Sequence, residues 1–447
     1  MDNLTGRRMS VITRLIYVLS FVALSFVSTL AASVEVSSKG KGEALLFPLY
    51  TAQNGWDTYL NVFTQGGLIH VKFRSAENGE VLDSFNVYGG AHHTFRASLT
   101  YISEGNAVMR IAEGQCVVGG KANSTALQHG GVGTDFPLSA DVGTIEVFAT
   151  GLMMEGTLPH QGRFGVNCED YAAAWQTGGK WNNDPNIGVS AERYDTEIRG
   201  NVNFVNVQQG LSSSNDATAL AETGLQLPHE HPTTNSTDLW AVTGGIDAVA
   251  EALSVTSYEH DVIVERIIQA RTQAIVSFPL TGYKEYKPIK GEEFFEVVDD
   301  QLACNVWITN GHGDLFNSVK SESIDGSTRE TDGNDQYFDG LHPPPFASEC
   351  KAIVVANAGR DDGGVNLVTD SDLIEGNPHL DFINSYGTVT RFYWDRTKDA
   401  PRKMPMIGFR LTTFLNGELD GGKLANYSTI ADFKYYCVNR DDSLCGR

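Results

Sequence analysis

Between residues 69 and 74, apolar Ile69, Val71 and Phe73 alternate with polar His70, Lys72 and Arg74. A period of two predicts a strand with one face buried and one face wet. Asn78 and Gly79 follow as a two-residue turn signal, and Phe85 and Val87 resume the alternation in EVLDSFNV. Together they predict a β-hairpin. Further runs rich in aromatic and β-branched residues predict strands at 43–50, 58–63, 144–150, 203–207, 273–280, 304–310, 351–357, 388–394, 406–414 and 432–438. Gly, Asn and Asp turns separate them, and no helices interleave regularly, which points to antiparallel β-sandwiches of the immunoglobulin-like kind.

Two helices stand out from this pattern. Tyr171 and Trp175 share a face between Glu169 and Gln176, with Gly178 beyond the end as a stop signal. Ile246, Val249, Ala250 and Leu253 trace the i, i+3, i+4, i+7 stripe of a second. Both stripes read as core packing.

The stretch 211–238 carries SSSND, LPHEHP and TTNST with little periodicity, and reads as a linker. It divides the chain into an N-terminal domain, 34–210, and a C-terminal domain, 239–447, because some 400 residues exceed one ordinary core. A polar stretch at 322–340, followed by Pro343, Pro344 and Pro345, reads as a long surface excursion.

The first 33 residues have the three parts of a cleavable signal peptide: Arg7, Arg8 and Arg14, an apolar run from Leu15 to Leu30, and small Ala31, Ala32 and Ser33. A compact version of the same signal begins at Met9, so either Met1 or Met9 serves as the start. The apolar run is short of the roughly 20 residues that cross a bilayer, and nothing later is long enough. The expected product is therefore secreted, held at the cell surface, or periplasmic, without a membrane span.

The whole chain carries 33 basic and 55 acidic residues, a formal net charge of −22. Such a chain repels polyanions, and no basic run offers the Lys and Arg cluster that phosphate backbones require. Nucleic acid is excluded as an expected partner. Cys116, Cys168, Cys304, Cys350, Cys437 and Cys445 are even in number, as in exported proteins with three disulfides. Neighbour pairing, 116 with 168, 304 with 350 and 437 with 445, keeps each bridge within one domain.

Several of these segments occur together in a pattern. EALLFPLYTAQNGWDTYLNVF and HVKFRSAENGEVLDSFNVY resemble the opening of a family of uncharacterised secreted or cell-surface proteins of proteobacteria. GTIEVFATGLM, GVNCEDYAAAW, NFVNVQQG, DAVAEALSV, AIVSFPLTGYKEY, PMIGFRLTTFLNG and LANYS are similar to later blocks of that family in the same order. The resemblance implies location and architecture and carries no activity.

Catalytic signatures are absent from the sequence: no GxSxG elbow, no HExxH, no phosphate-cradling glycine loop. Two groups offer metal ligands. His229 and His231 in LPHEHP share one side of an extended segment, although Pro228 and Pro232 suit an exposed linker. Asp332, Asn334, Asp335 and Asp339 in DGNDQYFDG offer hard oxygens to calcium, but Tyr337 and Pro343 stand where an EF-hand needs Gly and Glu. Trp181, in the loop sequence GGKWNNDPN, is the aromatic residue expected to be exposed for a ligand. The function expected from all this is non-enzymatic: a structural or adhesive component that binds an envelope protein, a glycan or itself. Strand addition, with Val34–Tyr50 donated to a neighbour, is one route to self-assembly. The alternative is a secreted polysaccharide hydrolase using paired carboxylates.

Overall fold

The computed structural model describes most of residues 34–283 and 404–435, with the backbones of several strands between them. Residues 1–33, where the signal peptide is expected, Asn334, Asp335 and Asp339, and Cys304, Cys350, Cys437 and Cys445 lie outside the described residues.

The chain is mainly β, with antiparallel sheets. The first fifteen strands are β1 (Glu35–Val36), β2 (Ala44–Thr51), β3 (Asp57–Thr64), β4 (Gly67–Ser75), β5 (Val81–Tyr88), β6 (His93–Ser103), β7 (Asn106–Ile111), β8 (Cys116–Lys121), β9 (Gln128–Gly130), β10 (Asp135–Leu138), β11 (Val142–Met153), β12 (Val189–Ser190), β13 (Ile198–Asn206), β14 (Leu211–Asp216) and β15 (Thr218–Ala221). A nine-stranded sheet runs β1-β15-β2-β11-β4-β5-β8-β9, with β12 also on β11. A six-stranded sheet runs β10-β7-β6-β3-β13-β14. Their inner faces enclose one apolar core that includes Leu45, Phe47, Val71, Phe73 and Phe85 from the first, and Leu60, Val62, Phe95, Val202 and Phe204 from the second.

The segment 211–238 is not the linker its composition predicts. Leu211–Asp216 closes the six-stranded sheet against β13, and Thr218–Ala221 lies between β1 and β2 in the nine-stranded sheet. Val34–Tyr50 is likewise no spare strand. Within it, β2 is flanked by β11 and β15 and is buried on both faces, which explains its continuous apolar run. Pro48 has no N–H to give a central strand. The ladder accommodates it: β15 pairs only with Ala44, Leu45 and Leu46, and the β2–β11 register shifts between Gly143 and Ile145, beside Phe47.

The predicted hairpin is β4–β5, but its connection spans 76–79, with Ser75 N–H donating to the Glu80 carbonyl. Gly79 takes a φ of +69°, open to glycine at little cost. The two predicted helices are α1 (Cys168–Trp175) and α3 (Gly245–Leu253), with a single turn α2 (Lys180–Asn183) between them. No described helix is long and apolar enough to cross a membrane.

Later strands build further sheets. β16 (Ser257–Val264), β17 (Ala270–Ser277), β18 (Val306–Asn310), β19 (Ile353–Ala358), β20 (His379–Leu380), β21 (Ser385–Trp394), β22 (Ile407–Phe414) and β23 (Tyr427–Asp432) account for most of them. The order β20-β19-β17-β22-β23 makes a five-stranded sheet, in which β19–β20 is a parallel pair. Strands β18, β21 and β16 belong to a four-stranded sheet. Ile275, Val276, Phe409 and Leu411 of β17 and β22 join the same core as β2 and β13, with Phe204 and Phe409 rings 5.7 Å apart. At the rim, β14 meets β23 through side chains: Ser213 hydroxyl to Ser428 at 2.7 Å and Asn215 amide to Asp432 at 2.9 Å.

The hairpin turn is clamped against the 278–283 segment. A Cβ built on Gly282 would stand 1.9 Å from the Gly79 carbonyl oxygen, which itself accepts a bond from Arg74 Nη1 at 2.8 Å. Gly282→Ala is therefore expected to cost about 1–3 kcal/mol by overpacking, read as a lower urea midpoint at unchanged slope.

Candidate functional site

The polar side of β4 does not face water. His70, Lys72 and Arg74 are all buried, because residues 229–233 and 239–242, α3 and 278–283 lie over that face of the nine-stranded sheet. Burial of cations demands partners. Arg74 Nε lies 2.8 Å from Glu146 Oε1 on β11, and the Tyr283 hydroxyl donates to the same carboxylate at 3.1 Å. The Arg74 guanidinium also stacks 4.3 Å over the Tyr283 ring. Burial, reinforced by the Arg74 charge, brings the Lys72 ammonium down to about 8, against the pull of Glu146.

Next to this row lies an enclosed aromatic cluster. The Cys116–Cys168 disulfide ties α1 to β8, the one predicted pairing within the described residues. Tyr88 stacks on Tyr171 at 4.4 Å and on Trp181 at 5.4 Å, and His229 meets Trp181 at 4.6 Å and Trp175 at 4.8 Å. Trp181 is fully buried on α2, with its indole N–H donating to the Ile187 carbonyl, so it is no exposed ligand contact. His229 is buried as well, and is not the exposed linker residue that its flanking prolines suggest. Its Nδ1 lies 2.8 Å from the Pro185 carbonyl and its Nε2 lies 3.1 Å from the Tyr88 hydroxyl. A carbonyl can only accept, so Nδ1 carries the proton and Nε2 accepts from Tyr88. The Tyr88 oxygen in turn accepts from Trp175 Nε1 at 2.7 Å.

These contacts fill both His229 nitrogens and leave no lone pair for a metal. His231 turns to Thr233, its Nδ1 2.8 Å from the hydroxyl oxygen. Among the described residues no group of three or more His, Cys, Asp or Glu side chains is placed to hold a metal ion. His70 is engaged at one nitrogen: Nδ1 lies 2.7 Å from Asn86 Oδ1, while Nε2 is buried without a hydrogen-bond partner. Burial first, then the Lys72 charge, depresses the His70 imidazole to about 3, and burial depresses His229 to about 4. Neither ring is placed to exchange protons with solvent near neutrality.

The open surface is elsewhere, on the outer face of the six-stranded sheet. Alternation along β3 sends Leu60 and Val62 inward and Tyr59, Asn61 and Phe63 outward. Cross-strand register assembles these with their neighbours into rows. One row runs Asp135, Arg110, Ser98, Tyr59, Asn203, Ser214, and the next runs Arg96, Asn61, Asn201, Asp216. In a third, Phe63 stands between Thr94 and Arg199, and the Arg199 guanidinium lies 5.0 Å over its ring. Asn61 donates to Asn201 at 3.0 Å, fixing the amides side by side. Tyr59 is 39% exposed, and Arg96 and Arg199 project into solvent. Sequence reading places Tyr59 and Phe63 in a strand but misses the face, because Arg96, Asn201 and Asn203 reach it from distant strands. Only the outward parity of TYLNVF pointed that way.

No protein-family model matches the chain, and no curated protein matches it.

Proposed function

We propose that this is an exported, non-enzymatic binding protein of the bacterial envelope or its surroundings, and that it binds through the outer face of the six-stranded sheet. The architecture belonging to this reading is a pair of antiparallel sandwiches that share core residues. The observation that carries the reading is the contrast between two polar regions. The side chains of reactive type on β4 and around His229 are enclosed and engaged with each other. Aromatic, amide and guanidinium groups on β3, β6 and β13 are held in fixed rows at the surface. A rigid sheet that displays an aromatic ring among paired amides is preorganised, so little side-chain freedom is lost on contact. The cleavable leader and the disulfide framework expected from the sequence agree with action outside the cytoplasm.

The test is sedimentation of the purified protein with washed envelope material. Tyr59→Ala is expected to weaken binding by about 2 kcal/mol, as loss of a central aromatic contact does, with an unchanged unfolding midpoint. Binding that is equal for wild type and Tyr59→Ala would sink the reading.

A further inference from the structure

Residues 229–233 cross the face of β5 as a short strap. The Glu230 carbonyl accepts from Asn86 Nδ2 at 2.7 Å, and the Pro232 carbonyl accepts from the Ser84 hydroxyl. His229 meets Tyr88, so successive contacts run down β5 as the strap runs up, and the two lie antiparallel. Fixed points bound the strap in sequence: the Thr223 hydroxyl bonds to the Glu43 carboxylate at 3.1 Å, and Leu239 N–H donates to the Tyr283 hydroxyl at 3.4 Å. Within it only His229 and Pro232 are buried, while Glu230, His231 and Thr233 are partly exposed. His229, seated against Trp175 and Trp181, is the side chain that anchors it deepest.

The hydrogen-bond set around that anchor closes only with one proton on the ring. The Tyr88 oxygen accepts from Trp175 Nε1 at 2.7 Å and from Asn86 Nδ2 at 3.3 Å, and gives its single hydrogen to His229 Nε2. Asn86 Oδ1 is engaged with His70, and the Pro185 carbonyl holds His229 Nδ1–H. A second proton would set an N–H against an oxygen that already takes two donors, and would leave the Tyr88 hydrogen without its acceptor. Trp175 and Trp181 offer π faces worth about 0.5–2 kcal/mol to a cation, but no acceptor. The titratable groups around His229 are Tyr88 on β5, His70 on β4 with Lys72 beyond it, Tyr171 on α1 and His231 in the strap. None is a carboxylate. Of the nearest acids, Glu230 pulls on Lys72, and exposed Asp184 accepts from Asn186 N–H. Glu169 and Asp170 stand in the first turn of α1, whereas Trp175, which meets His229, ends it, and Lys180 on α2 is exposed.

We infer that residues 229–233 are an acid-released strap, latched by His229 and detached from β5 locally, without unfolding of the sheets, when that ring takes up a second proton. Release bares Ser84, Asn86 and the Tyr88 hydroxyl, and behind them the unpartnered Nε2 of His70. A freed ring titrates near 6.5, while burial holds the seated ring at about 4. The strap is therefore fully latched above pH 6.5, and each unit below that favours release about tenfold. The anchors at Thr223 and Leu239 keep the opening local.

The experiment is hydrogen exchange of the Trp175 indole N–H, which bonds to Tyr88 beneath the strap, followed by NMR in the full chain carrying isotope-labelled tryptophan. After correction for the intrinsic exchange rate, its protection is expected to fall about a hundredfold between pH 6.5 and 4.5. The rate at pH 4.5 should be insensitive to low urea, as for a local opening that exposes little surface. His229→Gln, which keeps a donor and an acceptor but takes no proton, should remove most of the fall, and His70→Gln should leave it. An exchange rate that climbs with urea as steeply as that of the sheet amides overturns the strap in favour of global unfolding. An equal fall in His229→Gln, or a fall lost in His70→Gln alone, overturns His229 as the latch. Should His229→Gln not fold, the urea dependence of the wild type decides the matter by itself.

Discussion

At pH 4.5 the protein is expected to be about 5 kcal/mol less stable than at pH 7.5. His70 and His229 are held near 3 and 4 in the folded chain and would titrate near 6.5 when unfolded. Between those values the unfolded chain binds protons that the folded one refuses. The contribution of the two rings is thus complete above pH 6.5 and falls as pH drops, by about 1.4 kcal/mol per unit for each ring. The structural cause differs at the two sites. A proton on His70 would have no acceptor at Nε2 and would sit near the Lys72 ammonium. A proton on His229 would displace the hydrogen bond from the Tyr88 hydroxyl. Urea titrations at half-unit steps give the slope, and His229→Gln is expected to halve it between pH 6.5 and 4.5. A midpoint that stays level across that range would mean that water reaches both rings. Set against a typical total of about 5–15 kcal/mol, the expected loss brings the domain close to unfolding.

Removing the Cys116–Cys168 bridge by paired replacement with Ser is expected to cost about 4 kcal/mol. The two residues are 52 apart in sequence, and closing a loop of that length restricts the unfolded chain by roughly this amount. The bridge also holds α1 against β8, and with it Tyr171 and Trp175 of the aromatic cluster. Guanidinium denaturation followed by Trp emission reports the effect directly, since Trp175 and Trp181 both lie there. The wild type should weaken on adding reductant, and the Ser variant should weaken by less, keeping only the response of the other expected bridges. Identical curves for the two proteins in non-reducing buffer would remove the bridge as a source of stability.

Legibility of this fold in its sequence follows from where each strand's partners come from. The β3 and β4 patterns are visible because their inner faces are apolar. β14 is invisible because two of its buried positions are Ser213 and Asn215, which face Ser428 and Asp432. A strand that packs polar against polar shows no hydrophobic period. The row His70, Lys72, Arg74 misleads in the same way: its periodicity is that of a solvated face, but Glu146 and Tyr283 arrive from elsewhere to compensate it. Trp181 and His229 lie in segments of turn-forming composition, and their burial depends on one another across 48 residues, a distance no local pattern spans. The candidate site was partly legible: the outward parity of Tyr59 is local, whereas its Asn and Arg neighbours require the register of four strands.

The sharing of one core by early and late strands sets the order in which this polypeptide is able to mature. Leu45, Phe47 and Phe204 are made in the first half of synthesis, whereas Phe409 and Leu411, which belong to the same cluster, emerge near its end. A nascent chain of 250 residues therefore leaves an oily flank uncovered until some 160 more have followed. In that interval the exposed apolar surface makes the chain prone to stick to its siblings.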